Sequence, residues 1–373
     1  MNDTRVRRQV AGATTTAVHS GVWSASALIA LLVLVTGCGA LEFLDPSRCV
    51  EATGPIEMTL DDFRVGQTNQ TPDHAIPLLM SRAAGVRVAI EMTVTRPTLS
   101  ALTIEVDAVD SGGGRTRLLS ESLTCVRPLT LASAHLGAEH VVDERSYELR
   151  VLDGAGELRI EASVRPSIMD AEPYALLLVP MRVNGIEVST DTERFTQWSD
   201  EAFAMFPLER EASWLPTLDV GTVAASDGQA MSRVLFDALT VHIADLEEMG
   251  LLPPLSVVIG LIPREVRSWG RGGGFRGVTD ELNRETFLHE IGHAVGAPHA
   301  YGCGAPDPWP DSTLVVHPPG YDVVTRTWRG GNDIMSYCRP RSWLGAWAHE
   351  LIMDRLRHAN DRGHVRVAVL DVW

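Results

Sequence analysis

The sequence predicts an α+β protein in which an antiparallel β-sandwich precedes a domain of alternating sheet and helix. Three observations point there. Residues 51–165 carry short alternating or β-branched runs between turn signals, with no convincing amphipathic helix. Residues 174–373 pass instead from an apolar strand through a long helical period to a second buried strand and further helices. The stretch from Pro166 to Pro173 reads as the boundary.

At 373 residues and 45% hydrophobic content the chain can form two packed domains once a targeting segment is removed. A formal net charge of -16 argues against a nucleic-acid partner, because an acidic surface repels polyanions. All 32 basic residues are arginine, a composition bias and not a site.

The leader comes first. Arg5, Arg7 and Arg8 form a basic region, an apolar core runs from Ala25 to Val35, and Val35-Thr36-Gly37-Cys38 matches the bacterial lipobox. Residues 1–37 thus resemble a lipoprotein signal peptide, whose cleavage leaves Cys38 as a lipidated N-terminus and membrane anchor, with 38–54 as a linker. The apolar core is shorter than the ~20 residues of a spanning helix. An uncleaved anchor starting near Val18 is the alternative, and both place the rest outside the cytoplasm. Gly39, where an aspartate would signal inner-membrane retention, points to the outer membrane or cell surface.

Residues 55–168 hold strands at Val86 to Val94, Leu102 to Val109, Tyr147 to Leu152 and Leu158 to Val164, joined by hairpin loops at Ser111 to Gly114 and Asp153 to Gly156. This spacing suits an immunoglobulin-like sandwich. His74, His135 and His140 are isolated there and read as surface or capping residues.

Residues 169–373 form the second domain. Tyr174 to Val183 is a nearly continuous apolar strand, a polar helix is expected near Ser199 to Phe206, and Asp227 to Met249 carries apolar residues at helical spacing before Gly250. Ser256 to Ile262 is a buried strand, a helix starts near Asp280, and the last helix covers about Trp347 to Ala359. Gly272 to Gly277 satisfies GxGxxG, but no second strand ending in an acid follows, so it reads as a mobile cleft rim and not a dinucleotide loop. Tyr301 to Asn332 lacks regular periodicity and is expected to wall the cleft. His317, Asp307 and Asp311 within it read as solvated loop residues, and His349 and His358 on the last helix as structural.

The chemistry concentrates in His289-Glu290-Ile291-Gly292-His293-Ala294-Val295-Gly296-Ala297-Pro298-His299. On a helix His289 and His293 lie one turn apart on one face and can reach one metal ion. Glu290 points instead toward a metal-bound water, the place of a general base. Gly296 can take a left-handed conformation and end the helix, letting His299 return as third ligand.

The string HExxHxxGxxH resembles that of the metzincin metallopeptidases, and Asp333-Ile334-Met335-Ser336-Tyr337 resembles their Met-turn. The resemblance covers slightly more than half of the chain. It implies a twisted mixed sheet, a zinc-binding helix and a Met-turn at Met335. It also implies one catalytic Zn2+ on His289, His293 and His299, with Glu290 as general base and Tyr337 as an oxyanion stabiliser. Ala300, after the third histidine, matches none of the astacins, adamalysins, matrixins or serralysins, and the turn with its following cysteine looks more like the bacterial StcE-like mucinase relatives. The implied activity is peptide-bond hydrolysis in a protein or glycoprotein substrate. A catalytically silent surface lipoprotein that binds glycoprotein or peptide is the alternative.

Setting Cys38 aside, Cys49, Cys125, Cys303 and Cys338 allow three pairings in an oxidising compartment. A Cys303–Cys338 bridge would tie the loop after His299 to the Met-turn and leave Cys49 for Cys125. The other reading makes Cys49 an inhibitory zinc thiolate, with the rest of that motif missing.

Overall fold

Period-two burial builds the first half. The computed structural model describes residues 49–69, 76–80, 82–189, 191–306, 308–309 and 312–361. The leader with Cys38, and His74, Asp307 and Asp311, lie outside these residues, as does the side chain of His317. The first ten strands are β1 (Val50–Glu51), β2 (Met58–Gly66), β3 (Leu78–Leu79), β4 (Ala84–Met92), β5 (Thr98–Val109), β6 (Arg115–Val126), β7 (Leu129–Leu136), β8 (Ser146–Asp153), β9 (Leu158–Val164) and β10 (Ile168–Met169). Strands β6, β5, β8 and β9 make one antiparallel sheet, with β1 parallel to the start of β5, and β2, β4 and β7 make another. Tyr147, Leu149 and Val151 on β8 join Leu102, Ile104 and Val106 of β5 and Val86, Val88 and Ile90 of β4 in one core, so the two sheets face each other. The glycine loops close hairpins as expected: Asp110 and Asp153 each accept two backbone N–H bonds from their own turns.

Strands β11 (Ala175–Val183), β12 (Ile186–Glu187), β13 (Ser213–Trp214), β14 (Leu218–Gly221), β15 (Ser256–Ile262), β16 (Arg271–Gly273) and β17 (Arg276–Asp280) form a mixed sheet. Its centre, β11, β15 and β17, is parallel and β16 is an antiparallel edge. Helices α1 (Thr192–Met205), α2 (Gly228–Glu248), α3 (Arg284–Ala294) and α4 (Ala346–Asp361) cover it. Apolar runs on β11 and β15 are buried on both faces, as a parallel centre requires. Leu177, Val179 and Val258 pack on α2, while Leu176, Leu178 and Ile259 share a core with α1, α3 and α4. Strands β18 (Val315–Asp322), β19 (Thr327–Asp333) and β20 (Arg341–Trp343) make a small third sheet.

Four sequence expectations change here. Helix α1 begins at Thr192, well before Ser199, because Asp191 caps it by accepting the Arg194 N–H at 3.2 Å and Phe195 and Trp198 are buried. Helix α3 begins at Arg284, not near Asp280: β17 takes the residues up to Asp280, and Asn283 caps the helix by accepting from Thr286 N at 3.0 Å. Residues 301–332 are not aperiodic throughout, since β18 and β19 pair as a hairpin whose alternation is hidden by a register shift between Val316 and Gly320. His135 is not isolated; its Nδ1 lies 3.0 Å from the Tyr321 hydroxyl.

Tyr321 belongs to a polar junction between the two halves, which lie in one compact unit. The Thr68 carbonyl accepts from Tyr321 N at 2.7 Å and from Trp343 Nε1 at 3.1 Å, and Arg82 Nη1 donates to the Phe206 carbonyl at 2.7 Å. Among the described residues no helix is long and apolar enough to cross a membrane.

Candidate metal centre

Helix α3 holds His289 and His293 one turn apart, with ring centroids 4.6 Å from each other. Gly296, at φ 98°, turns the chain back and returns His299. The His293 Nε2 lies 3.0 Å from His289 Nε2 and 3.1 Å from His299 Nε2. Each Nδ1 faces a carbonyl at 2.8 Å: Ile334 for His289, Ala297 for His293 and Pro306 for His299. A carbonyl only accepts, so each Nδ1 carries the proton and each Nε2 presents a lone pair. Three lone pairs aimed at one point repel unless a cation lies between them, and tetrahedral ligation at 2.0–2.1 Å sets nitrogens roughly 3.3 Å apart. The three imidazoles therefore form a group that can hold a metal ion.

Electrostatics agree. Burial, then the His293 charge, holds His289 well below the usual imidazole range, and burial, then His299, lowers His293 to about 3. Both rings stay neutral at neutral pH, as ligands must.

Glu290 is only 4% exposed, and its Oε2 is buried with no hydrogen-bond partner among the described residues. Burial pushes its carboxyl up to about 8, against the pull of Arg341 and Arg271. The glycine-rich rim explains how the sheet comes so near. A Cβ on Gly272 would stand 2.6 Å from the Glu290 carbonyl oxygen and 2.9 Å from His293 Cβ, and one on Gly270 would overlap the Glu290 carboxylate. The glycines serve close approach of the β16 edge to α3, and the rim is a β16–β17 hairpin.

Met335 is fully buried, with its Sδ against Gly292 of α3. Asp333 fixes that turn by accepting Met335 N at 2.8 Å and Gly345 N at 3.1 Å, and burial lifts its carboxyl to about 7. The turn delivers Tyr337 to the mouth of the site, 40% exposed, with its ring centroid 4.9 Å from that of His299. Both disulfides are formed: Cys303–Cys338, with Cα atoms 5.1 Å apart, ties the loop after His299 to the turn, and Cys49–Cys125 links the start of β1 to β6 across 6.1 Å.

Every motif residue among the described ones thus converges. Arg341 and the three orienting carbonyls escape sequence reasoning; Asp333 stands in the motif quoted for the turn, but its role as the acceptor that holds the turn is visible only in the fold.

No family model and no curated protein matches the chain. Solved structures align only in part. The sensor domain of the anti-sigma factor RsgI4 from Pseudobacteroides cellulosolvens is 11% identical over 32% of this chain and 100% of that one, with a TM-score of 0.21. The alkylpurine DNA glycosylase AlkC of Pseudomonas fluorescens is 16% identical over 30% of each chain, with a TM-score of 0.19. β-Glucosidase 3B from Thermotoga neapolitana is 12% identical over 31% of this chain and 16% of its own, also at 0.19. Superpositions of that quality establish neither a shared fold nor a shared activity.

Proposed function

We propose that the protein is a zinc-dependent endopeptidase of metzincin type, anchored to the bacterial envelope through Cys38 and carrying an immunoglobulin-like sandwich before its catalytic domain. The observation that carries this reading is the convergence of three Nε2 lone pairs beside one buried carboxyl, Glu290, and one half-exposed phenol, Tyr337. His289, His293 and His299 would hold the zinc; three imidazoles with a further position left open make a catalytic rather than a structural donor set. When bound, zinc supplies Lewis acidity, lowering the pKa of a water and polarising a scissile carbonyl.

The chain's own residues do the rest. Glu290 takes the proton of the attacking water on a carboxylate oxygen and passes it to the leaving amine. Its burial keeps bulk water from competing for that proton. The Tyr337 hydroxyl donates to the substrate oxygen as negative charge grows there. Strand β16 ends the sheet, so its outer backbone edge can pair with an extended peptide. Two disulfides suit an oxidising compartment outside the cytoplasm.

The test is Glu290→Ala in the full chain. Zinc content should match the parent while cleavage of a peptide library falls by about 100- to 10,000-fold. Turnover retained in that variant would remove Glu290 from the chemistry. His293→Ala should lose the metal itself, read by atomic absorption. Zinc bound by a parent that cuts nothing would favour the silent, binding role.

A further inference from the structure

We infer that Arg341 selects substrates with an acidic side chain next to the scissile bond, an inference that rests on the peptidase reading above. Strand β20 opens at Arg341, a few residues beyond the Met-turn, and the residue is half-buried in the wall of the site. Its guanidinium lies 5.7 Å from the centroid of the Tyr337 ring, and its charge is felt by Glu290, His289 and His293. It therefore flanks Tyr337, within electrostatic reach of Glu290. Yet its Nε is buried without a hydrogen-bond partner, and among the described residues its guanidinium forms no hydrogen bond or ion pair.

Neighbouring arginines differ. Arg284 pairs with Glu201 and Arg339 forms an ion pair with Glu285 at 3.7 Å, whereas Glu285 and Glu290 act on Arg341 only through their charge. The Tyr337 ring face attracts the Arg341 charge but accepts its N–H groups poorly. A partly desolvated guanidinium is poorly solvated in the free protein, and a carboxylate that bridges its two Nη groups bidentately offsets that cost on binding. A neutral side chain leaves the donors unmet, and a basic one adds repulsion. Because the whole chain carries a net charge of -16, long-range steering does not favour acidic peptides, and the preference is local.

The experiment uses the zinc-loaded full chain in three forms, parent, Arg341→Gln and Arg341→Lys, each also in a Glu290→Ala background. Peptide mixtures, degenerate except for one position fixed as Asp, Asn or Lys, are scored for cleavage and, with the Glu290→Ala proteins, for binding by fluorescence anisotropy. We expect the parent to favour Asp over Asn at one position flanking the cut by about 10- to 100-fold in kcat/KM. Arg341→Gln should abolish that ratio whatever its effect on the absolute rate, because the Arg341 charge also acts on Glu290, and Arg341→Lys should restore part of the ratio. Equal loss on Asp and Asn peptides, or a parent with no acidic preference, would overturn the inference while leaving the peptidase intact. If nothing is cut but Asp peptides still bind more tightly in an Arg341-dependent way, the peptidase reading falls and the anion site stands. If nothing is cut and no Asp preference appears in binding, the anion site falls as well.

Discussion

Protonation of His349 should destabilise the molecule at the junction of its two halves in mild acid. The ring is 4% exposed on α4, and its Nδ1 sits 3.1 Å from the carbonyl and 3.4 Å from the backbone N–H of Asn69; the Asn69 side chain in turn donates to the Leu344 carbonyl at 3.3 Å. Burial, then the charge of Arg82, lowers the imidazole to about 3, against 6.5 for a free histidine. A depressed folded-state pKa gives stability that is fully present above pH 6.5 and is lost as pH falls toward 3. The gap corresponds to roughly 5 kcal/mol in total, of which about 2 kcal/mol is gone by pH 5. The assay is urea unfolding followed by tryptophan fluorescence at pH 7.5 and pH 5.0, for the parent and His349→Gln. His289 and His293 are the same in both proteins, so the difference between the two isolates His349. The parent should lose about 2 kcal/mol more than the variant between those pH values. Parallel loss in both proteins would refute the argument.

Two other perturbations follow from the site. Gly272→Ala places a methyl against the backbone of Glu290, so turnover should fall by about 100-fold with zinc retained, whereas Gly54→Ala, with nothing within 4 Å, should be silent. Equal activity in the two variants would show that β16 does not set the position of Glu290. Replacing Cys303 and Cys338 by serine opens a link across a sequence separation of 35 and should cost about 4 kcal/mol. That change should also weaken zinc binding, read by competition with a chelator, because it frees the loop behind His299. Replacing Cys49 and Cys125, separated by 76, should lower stability comparably and leave zinc affinity unchanged.

What the sequence discloses and what it hides divide along a physical line. The elements read well are those whose signal is local. Ser256–Ile262 is a continuous apolar run, and Gly228–Glu248 has Asp227 as cap and Gly250 just beyond its end. The histidine spacing is likewise local, because one helical turn alone brings His289 and His293 together. Elements whose pattern is set by distant partners were missed. In strand β16, Gly272 lies against α3 and Gly273 takes a φ of 154°, and no alternation survives to mark the segment as a strand. Gln67, Thr68 and Asn69 are polar in type yet buried, bonding to Leu79, Ala204 and Leu344 respectively.

The same line runs through the candidate site. Ligand identity is written in residue type, but the tautomer of each imidazole is fixed by carbonyls of Ile334, Ala297 and Pro306, and a backbone carbonyl has no residue code. Two of those carbonyls are delivered by the Met-turn and by the loop after His299, the segments that the Cys303–Cys338 bridge joins. Metal affinity therefore depends on chain geometry as much as on the three histidines. Arg341 was hidden for a different reason. In a chain whose 32 basic residues are all arginine, any one of them carries no signal until the fold sets its guanidinium 5.7 Å from the Tyr337 ring centroid, with a buried Nε that finds no partner among the described residues.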